Sequence, residues 1–341
     1  MSESRYSRSI LFEGIGEAGQ ERIGRFSIAF VGVGAVGAAA AELAARAGIG
    51  RLTLVDRDVV EESNLSRQFL FDAQDAARVV PKASAAAERL REIDPRVDVR
   101  GVVADLDHRN AAGLLVGHDL VFDGSDNFET RLLVSDAARS LGLPSIYAAC
   151  VGSVGLVAVS APGVTPCLRC YLEELPAAGS GPTCDTAGVV PTLPPLVACL
   201  GMTEALRLAV GESPGKGVVA IEAWQGSFRS RRLFADAKPR ASCPVCAGSR
   251  FPALLGEGAS EVVKLCGRNS VQVAPAGRER PDFDSLEARL SRVGSTHRSP
   301  QLLSADVEGV SLTIFSDGRC VVRGTGDCAR ARALYERYIG R

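Results

Sequence analysis

The chain has 341 residues, of which 46% are hydrophobic and 23% are charged, as in an ordinary globular protein. This length suggests two domains, or one large domain with an appendage. A formal net charge of −1 offers no basic field for nucleic acid or for an anionic membrane surface. The longest near-apolar run, residues 189–202, contains three prolines and is too short to span a bilayer. The N-terminus lacks the apolar core of a signal peptide, so we expect a cytoplasmic protein.

Strands and helices alternate through the first part of the chain. A buried strand is predicted at 27–32, followed by a glycine-rich turn and an alanine-rich helix. Further predicted strands lie at 51–56, 96–103, 118–127 and 144–152, and further helices at 81–94 and 128–142. This alternation predicts a parallel, doubly wound sheet.

The pattern changes after about residue 153. An antiparallel strand, a helix at 193–210 and a hairpin at 218–235 are predicted there. The last part of the chain contains short strands, two helices and a hairpin turn at Asp317-Gly318. The predicted fold is therefore α/β, with a Rossmann-like, doubly wound, mostly parallel sheet continuing into an antiparallel half, plus a small C-terminal α+β domain. We expect the domains to span residues 1–250 and 256–341.

The turn after the first strand has the pattern Gly32-x-Gly34-x-x-Gly37. Glycines let the backbone approach a phosphate, and the helix N-terminus that follows favours negative charge. Asp56 ends the second strand, where a ribose-hydroxyl acceptor is expected. The pattern predicts a nucleotide site over a purely structural turn, but does not distinguish NAD from ATP.

Several polar side chains follow the predicted strand ends. Asn64, Arg67 and Gln68 lie shortly after the second strand, Lys82 begins a helix, and Asp126 follows a later strand. Phosphoryl and adenylyl chemistry needs cations on the triphosphate and a carboxylate on magnesium. Arg67, Lys82 or Asp126 alone could be a surface charge. Their joint placement at one sheet edge, where ligands of open α/β sheets bind, favours a functional set.

Ten cysteines favour metal binding or catalysis over disulfides in a reducing compartment. Two CxxC pairs, Cys167 with Cys170 and Cys243 with Cys246, have the spacing of a tetrahedral Cys₄ zinc site. A redox dithiol is the alternative. Four thiolates leave no open position on the metal, so the zinc would be structural.

Cys184 lies in a glycine- and proline-rich loop before a helix, a setting that suits either a reactive thiolate or a small apolar loop residue. We expect the remaining cysteines to be mostly core residues: Cys150, Cys199, Cys266, Cys320 and Cys328.

Over about residues 4–248 the chain resembles the ThiF/MoeB/HesA family. The resemblance rests on RYSRSILFEGIGEAGQERI, VGVGAVG, LVDRDVVEESNLSRQFLF, PK, DGSDN, PCLRC, TCDTAGVVP and CPVC, in that order. These adenylyltransferases activate ubiquitin-like sulfur-carrier proteins for thiamine and molybdopterin synthesis, and they are related to ubiquitin-activating enzymes. The family often has glycine where this chain has Ala35.

The resemblance implies that the nucleotide is ATP. The implied nucleotide-binding residues are Gly32, Gly34, Ala35, Gly37, Asp56, Asp58, Asn64, Arg67, Gln68, Lys82, Asp126 and Asn127. Asp56 would hold the ribose, and Asn64, Arg67 and Lys82 would surround the triphosphate. Asp126 would bind Mg²⁺, with Asn127 beside it.

Two further residues acquire expected roles from the resemblance. Arg8 matches an arginine that reaches the ATP of the partner subunit, which implies a homodimer with composite sites. Cys184 matches a cysteine that can link covalently to the carrier in the thiamine branch. We therefore count Arg8, Arg67, Lys82, Asp126 and Cys184 as candidate catalytic residues, with Zn²⁺ on the Cys₄ set.

The implied reaction joins the C-terminal glycine carboxylate of a carrier ending in Gly-Gly to AMP and releases pyrophosphate. No rhodanese domain follows Cys246, so a separate sulfurtransferase or cysteine desulfurase would donate sulfur. The alternative is adenylation of a peptide or another carboxylate. A dehydrogenase would leave Arg67, Lys82 and Asp126 unexplained, and a non-catalytic scaffold would have no reason to keep them. The C-terminal domain is hypothesised to dock the carrier or the sulfur donor.

Overall fold

The computed structural model describes residues 5–172, 187–225, 229–257, 262–265, 269–275 and 280–340. The described residues form two compact units, one ending at Glu257 and the other following it. The helices of the first unit are α1 Ser7–Ile10, α2 Gly16–Arg25, α3 Ala35–Ala47, α4 Ala73–Ala77, α5 Lys82–Ile93, α6 Ala111–Leu115, α7 Phe128–Ser140, α8 Leu168–Tyr171 and α9 Leu193–Ala209. Its strands are β1 Ser27–Val31, β2 Arg51–Asp56, β3 Asp98–Val103, β4 Leu120–Asp123, β5 Ser145–Val151, β6 Val154–Ser160, β7 Val218–Glu222 and β8 Arg229–Leu233.

The eight strands of the first unit form one sheet in the order β3-β2-β1-β4-β5-β6-β7-β8. Strands β3 to β5 in this order pair in parallel, and the pairs β5-β6, β6-β7 and β7-β8 are antiparallel. The sequence prediction of a doubly wound sheet continuing into an antiparallel half is confirmed. Because β1 lies between β2 and β4, the direction of winding reverses beside β1, and this is where such sheets bind ligands.

Helices cover both faces of the parallel half. On one face α3 packs against α9, and the alanines of α3 let the two helices approach closely. Phe30 of β1 and Phe122 of β4 contact each other beneath them, with ring centroids 5.3 Å apart. The other face carries α6 and α7 over a second apolar cluster. Burial of both faces explains why β1 and β4 are continuous apolar runs and not alternating ones.

The second unit is a separate α+β structure. Its elements are β9 Val262–Leu265, β10 Ser270–Val273, α10 Phe283–Leu290, β11 Ser295–Arg298, β12 Leu302–Val307, β13 Val310–Phe315, β14 Cys320–Arg323 and α11 Cys328–Tyr338. The strands form an antiparallel sheet in the order β11-β12-β13-β14-β10-β9. The predicted turn at Asp317-Gly318 joins β13 to β14. Across the described parts of both units, no helix has the length and apolar character needed to cross a membrane.

Candidate functional site

The glycine-rich turn joins β1 to α3 and packs backbone to backbone against the loop after β4. Gly32 has a φ of +82°, and a β-carbon there would lie 2.9 Å from the carbonyl carbon of Gly124. A β-carbon at Gly37 would lie 1.9 Å from the carbonyl oxygen of Gly32. Side chains at these positions would therefore collide with backbone. The close packing brings the loop that carries Asp126 next to the N-terminus of α3, which begins at Ala35.

Asp56 fastens the end of β2 to this turn. Its Oδ2 accepts a hydrogen bond from the backbone N–H of Val33 at 2.6 Å, and its Oδ1 accepts one from Asp58 N–H at 2.7 Å. Burial raises the pKa of Asp56, and the positive charge of Lys82 opposes that rise. Each carboxylate oxygen has more than one lone pair, so Asp56 can still accept from a ribose hydroxyl.

Lys82 lies beside the acids at the end of β2 and just after it. Its Nζ is 3.3 Å from Oδ2 of Asp58, and its side chain is almost completely buried. The backbone N–H of Lys82 also donates to the carbonyl of Asp58 at 2.9 Å. Pro81 stands just before α5 with a φ of −60°, which directs the chain into the helix that Lys82 begins. The ammonium group of Lys82 has one carboxylate partner, and it could exchange that partner for a phosphate oxygen without leaving its buried position.

The segment after β2 lies along the glycine-rich turn. Asn64 is fully buried, and its Oδ1 accepts from Glu61 N–H at 3.1 Å. Gln68 is also buried, and its Nε2 would lie 3.9 Å from a β-carbon built at Gly34. Arg67 donates from Nη1 to the carbonyl of Ser63 at 2.7 Å. The structure therefore brings Gln68 to the turn directly and holds Arg67 on its own segment.

Asp126 and Asn127 occupy the loop between β4 and α7. Asn127 is the N-cap of α7, and its Oδ1 accepts from Thr130 N–H at 2.9 Å. Its Nδ2 donates to Oδ1 of Asp126 at 3.2 Å. Asp126 itself is exposed. An exposed carboxylate beside a phosphate-binding turn is the kind of hard oxygen ligand that Mg²⁺ prefers, so these residues fit the ion.

Sequence reasoning missed a cation at the same edge, Arg57. Its Nη1 lies 3.1 Å from Oδ1 of Asp105, and its Nε lies 4.0 Å from Oδ1 of Asp58. Burial lowers the pKa of Arg57, but the carboxylates of Asp105, Asp58 and Asp126 together raise it. The available signal was Asp105, an acidic residue just after β3. The carboxyl ends of these parallel strands meet at one edge of the sheet, so Asp105 could have been expected near Arg57.

Arg8 lies at the other end of α3. It is exposed on α1, two residues after Tyr6. The Tyr6 hydroxyl donates to Oδ2 of Asp94 at 2.7 Å, and its ring packs so tightly on Gly48 that a β-carbon there would lie 2.4 Å away. Gly48 caps the C-terminus of α3, whereas the glycine-rich turn precedes its N-terminus. Thirteen helical residues separate these ends by about 20 Å.

The two CxxC pairs converge on one point. All four Sγ atoms of the set lie within 4.8 Å of one another: Cys167, Cys170, Cys243 and Cys246. The Sγ atom of Cys167 is 3.6 Å from that of Cys243 and 3.9 Å from that of Cys170, and the Sγ atoms of Cys170 and Cys246 are 3.8 Å apart. Zinc–sulfur bonds of about 2.3 Å place the corners of a tetrahedron about 3.8 Å apart, so the set fits Zn²⁺.

Backbone N–H groups also point at these sulfurs. Cys167 N–H donates to Cys246 Sγ at 3.3 Å, and Arg240 N–H donates to Cys170 Sγ at 3.4 Å. Such donors stabilise sulfur in the thiolate form, which is the form that binds a metal.

The other cysteines divide between core and surface. Cys150 and Cys320 are buried, as the sequence predicted, whereas Cys199 and Cys328 are exposed and that prediction was wrong for them. Cys199 lies on the outer side of α9, and Cys328 is the first residue of α11. Cys184 and Cys266 lie outside the described residues.

The chain matches known proteins over most of its length. The model of the ThiF family matches residues 6–245. A Bacillus subtilis protein named sulfur carrier protein ThiS adenylyltransferase is 41% identical over 337 residues, covering 98% of this chain and 99% of that one. A Haloferax volcanii protein named SAMP-activating enzyme E1 is 38% identical over 252 residues, covering 71% of this chain and 88% of that one.

Among solved structures, Escherichia coli MccB with ATP has a TM-score of 0.62 at 20% identity, covering 72% of this chain and 74% of that one. This likeness concerns the fold alone. The match to the Bacillus subtilis protein includes the second unit, whereas the family match ends in the first.

Proposed function

The chain belongs to the ThiF family, and from this we propose that it adenylates the C-terminal glycine carboxylate of a ubiquitin-like sulfur-carrier protein. The observation that carries the proposal is the gathering of a phosphate-binding turn, a buried lysine and an exposed carboxylate at the ends of β1, β2 and β4. Glycine-rich turns alone also serve dehydrogenases. Lys82 beside Asp58, and Asp126 beside the turn, are the additions that phosphate chemistry requires.

The residues have distinct proposed roles. The N-terminus of α3 and the turn would bind the phosphates, and Asp56 would accept a ribose hydroxyl. Lys82 and Arg67 would exchange their present partners, Asp58 and the Ser63 carbonyl, for phosphate oxygens. Asp126 would hold Mg²⁺, which supplies charge neutralisation to the phosphates when bound.

The chemistry asks the protein mainly for placement. The carrier carboxylate is already ionised at neutral pH, so no general base is needed. One of its oxygens forms a bond to the α-phosphorus, the bond between the α- and β-phosphates breaks, and pyrophosphate leaves with that electron pair. Fixed cations at the phosphates stabilise the charge that accumulates, and the turn holds the reacting atoms in line.

A homodimer completes the proposed site. Arg8 starts from the end of α3 that lies about 20 Å from its own glycine-rich turn. The tight seat of Tyr6 on Gly48 fixes α1 at that end. Arg8 would therefore serve the nucleotide of the partner subunit.

The proposed carrier is ThiS-like. This follows from the near-complete match to the Bacillus subtilis relative, whose printed name specifies ThiS. Sulfur would come from a separate donor. The Cys184 thiolate would attack the acyl carbon of the adenylate, so that a thioester to the carrier forms as the acyl–oxygen bond breaks and AMP leaves. We place the reaction in the cytoplasm, because a reducing compartment keeps a four-thiolate zinc site intact.

The second unit has a proposed docking role for the carrier or the sulfur donor. Removing residues 258–341 tests this role. The cut lies after Glu257 because the first unit continues to that residue, and Ala253 N–H donates to Asp136 within it. Slower thiocarboxylate formation with unchanged ATP binding is expected. Unchanged adenylation and thiolation rates would refute the docking role.

ATP–pyrophosphate exchange tests the function itself. Exchange should require a ThiS-like carrier ending in Gly-Gly and should vanish when its last glycine is removed. Asp126→Ala should lower exchange by at least about 100-fold, as loss of charge stabilisation does in other enzymes. Glu129→Gln, which changes an exposed carboxylate in the first turn of α7, is the matched control and should leave exchange unchanged. Exchange with a free peptide and none with any carrier would move the assignment to a peptide-adenylating enzyme.

A further inference from the structure

Arg131 is a buried arginine in the second turn of α7, and the nucleotide chemistry described so far does not use it. Its Nη2 donates to the carbonyl oxygen of Ser125 at 3.1 Å. Its guanidinium lies between two aromatic rings, 5.1 Å from the centroid of Phe128 and 5.2 Å from that of Tyr147. Only 9% of the residue is exposed. A guanidinium suits this setting because it is planar, weakly hydrated and stacks on aromatic faces.

Asp123 binds the backbone N–H and the hydroxyl of Ser125, whose carbonyl oxygen Arg131 binds. Its Oδ1 accepts from the backbone N–H of Ser125 at 3.0 Å and from the Ser125 hydroxyl at 2.6 Å. Asp123 is 3% exposed, and burial raises its pKa, while the charge of Arg131 is the largest opposing influence. Ser125 is thus gripped through its N–H, its hydroxyl and its carbonyl oxygen.

The next residue in the chain is Asp126. The carbonyl oxygen that Arg131 holds belongs to the peptide group joining Ser125 to Asp126, and that group is planar. Fixing its plane therefore fixes the direction in which the chain enters Asp126. Asn127 fixes the following side through its cap of α7 and its bond to the Asp126 carboxylate.

We propose that Arg131 is a positioning residue for adenylation, which sets the peptide before Asp126 so that this carboxylate faces the nucleotide-bound magnesium ion. The reaction in this inference is that of the proposed function. The clamp, by which we mean the hydrogen bond from Arg131 to the Ser125 carbonyl, rests on the geometry. Partners that orient metal ligands typically change metal affinity by about 10–100-fold when they are removed. Arg131 would act in the same way through backbone and not through the ligand side chain.

A pair of variants separates positioning from simple charge balance. Arg131→Met removes the clamp but also leaves the Asp123 carboxylate buried without its cation. The double variant Asp123→Asn with Arg131→Met removes that imbalance while the carbonyl clamp stays absent. Tyr147→Phe keeps the stacked ring and is the matched control. Each protein is compared well below its own melting temperature.

Two measurements are made on the full chain. The first is the magnesium concentration that half-saturates ATP–pyrophosphate exchange with the carrier. The second is Mn²⁺ binding, followed by electron paramagnetic resonance in the presence of a non-hydrolysable ATP analogue. In Arg131→Met and in the double variant, we expect the half-saturating magnesium concentration to rise, and the affinity for Mn²⁺ to fall, by about tenfold or more. Tyr147→Phe should leave both quantities unchanged.

Recovery of normal ion dependence in the double variant, together with recovered stability, would show that Arg131 only balances Asp123 and would overturn the inference. Normal Mn²⁺ binding in Arg131→Met would overturn it as well. No exchange by the wild type with any carrier would count against the proposed function, and the Mn²⁺ titration would still decide the role of Arg131.

Discussion

A buried ion pair anchors the four-cysteine site to α7, and removing one partner should be costly. Arg169 lies between Cys167 and Cys170 in sequence. Its Nε is 3.0 Å from Oδ1 of Asp136, and its Nη2 is 2.9 Å from Oδ2. Asp136 is fully buried, and its Oδ2 also accepts from Ala253 N–H at 2.9 Å. The perturbation is Arg169→Met, which retains much of the side-chain volume and removes the charge.

The magnitude follows from the burial. Breaking a buried ion pair by removing one partner costs about 3–5 kcal/mol, because the remaining charge stays in a poor solvent. In a unit of this size each kcal/mol corresponds to roughly 2–4 °C in melting temperature, so we expect a fall of about 10 °C. Asp136→Asn together with Arg169→Met leaves no buried charge and should be more stable than Arg169→Met alone by about 2 kcal/mol.

Guanidinium denaturation and thermal melting of the zinc-loaded protein provide the measurement, with metal content determined for every variant. Arg250→Met is the control, since Arg250 pairs with Glu257 at 2.7 Å but both side chains are exposed. This surface pair should contribute less than about 1 kcal/mol. A change below about 1 kcal/mol in Arg169→Met, or a double variant as unstable as the single one, would refute the reasoning.

Three other predictions follow from the contacts. Gly37→Ala should distort the nucleotide turn and weaken ATP binding by calorimetry, because its β-carbon would lie 1.9 Å from the Gly32 carbonyl oxygen, whereas Gly113→Ala meets nothing within 4 Å and should bind normally. The pKa of Tyr6 is raised to about 12, mainly by burial and by its hydrogen bond to Asp94. The contribution of Tyr6 to the free energy of unfolding should therefore be complete below pH 10 and decrease as the pH rises toward 12. Tyr6→Phe should lose this alkaline step in unfolding free energy, and equal slopes for both proteins would contradict the assignment. Stripping the metal with a chelator should expose four additional reactive thiols in a thiol titration and lower the melting temperature, and an unchanged titration would exclude metal on that cluster.

Much of the site could be predicted because its signals are local in sequence. Glycines 32 and 37 must lie next to each other's backbone, and strand order follows from the alternation of strands and helices. Two CxxC pairs predict a tetrahedral metal site regardless of the fold of the segment between them, and the four sulfur atoms do lie together. Polar residues at parallel strand ends share one edge by topology, which is why Lys82 could be predicted, whereas its partner Asp58 came from the family resemblance.

The remaining features depend on pairings between distant segments. Arg57 meets Asp105 across the edge of the sheet, and Arg131 is placed by a ring on β5 that nothing in the sequence links to α7. Strand β11 gives no clear sequence signal, for a different reason. It is a short, polar edge strand that pairs only with β12, so it shows no alternating apolar pattern. Cys199 was placed in the core because α9 is apolar nearly all around, and only packing decides which side faces out.

Helix α7 connects the two constellations that the sequence presented as separate. Its N-terminal turns hold Asn127 and Arg131, which fix the loop of Asp126, and its middle holds Asp136, which binds Arg169 of the cysteine site. Nine residues separate Asn127 from Asp136, about 14 Å along a helix that is packed on both sides. Zn²⁺ on these four thiolates would have no open coordination position, so its role would be structural. Through the contact of Arg169 with Asp136, the ion would help to hold α7, whose N-terminal end fixes the loop of Asp126.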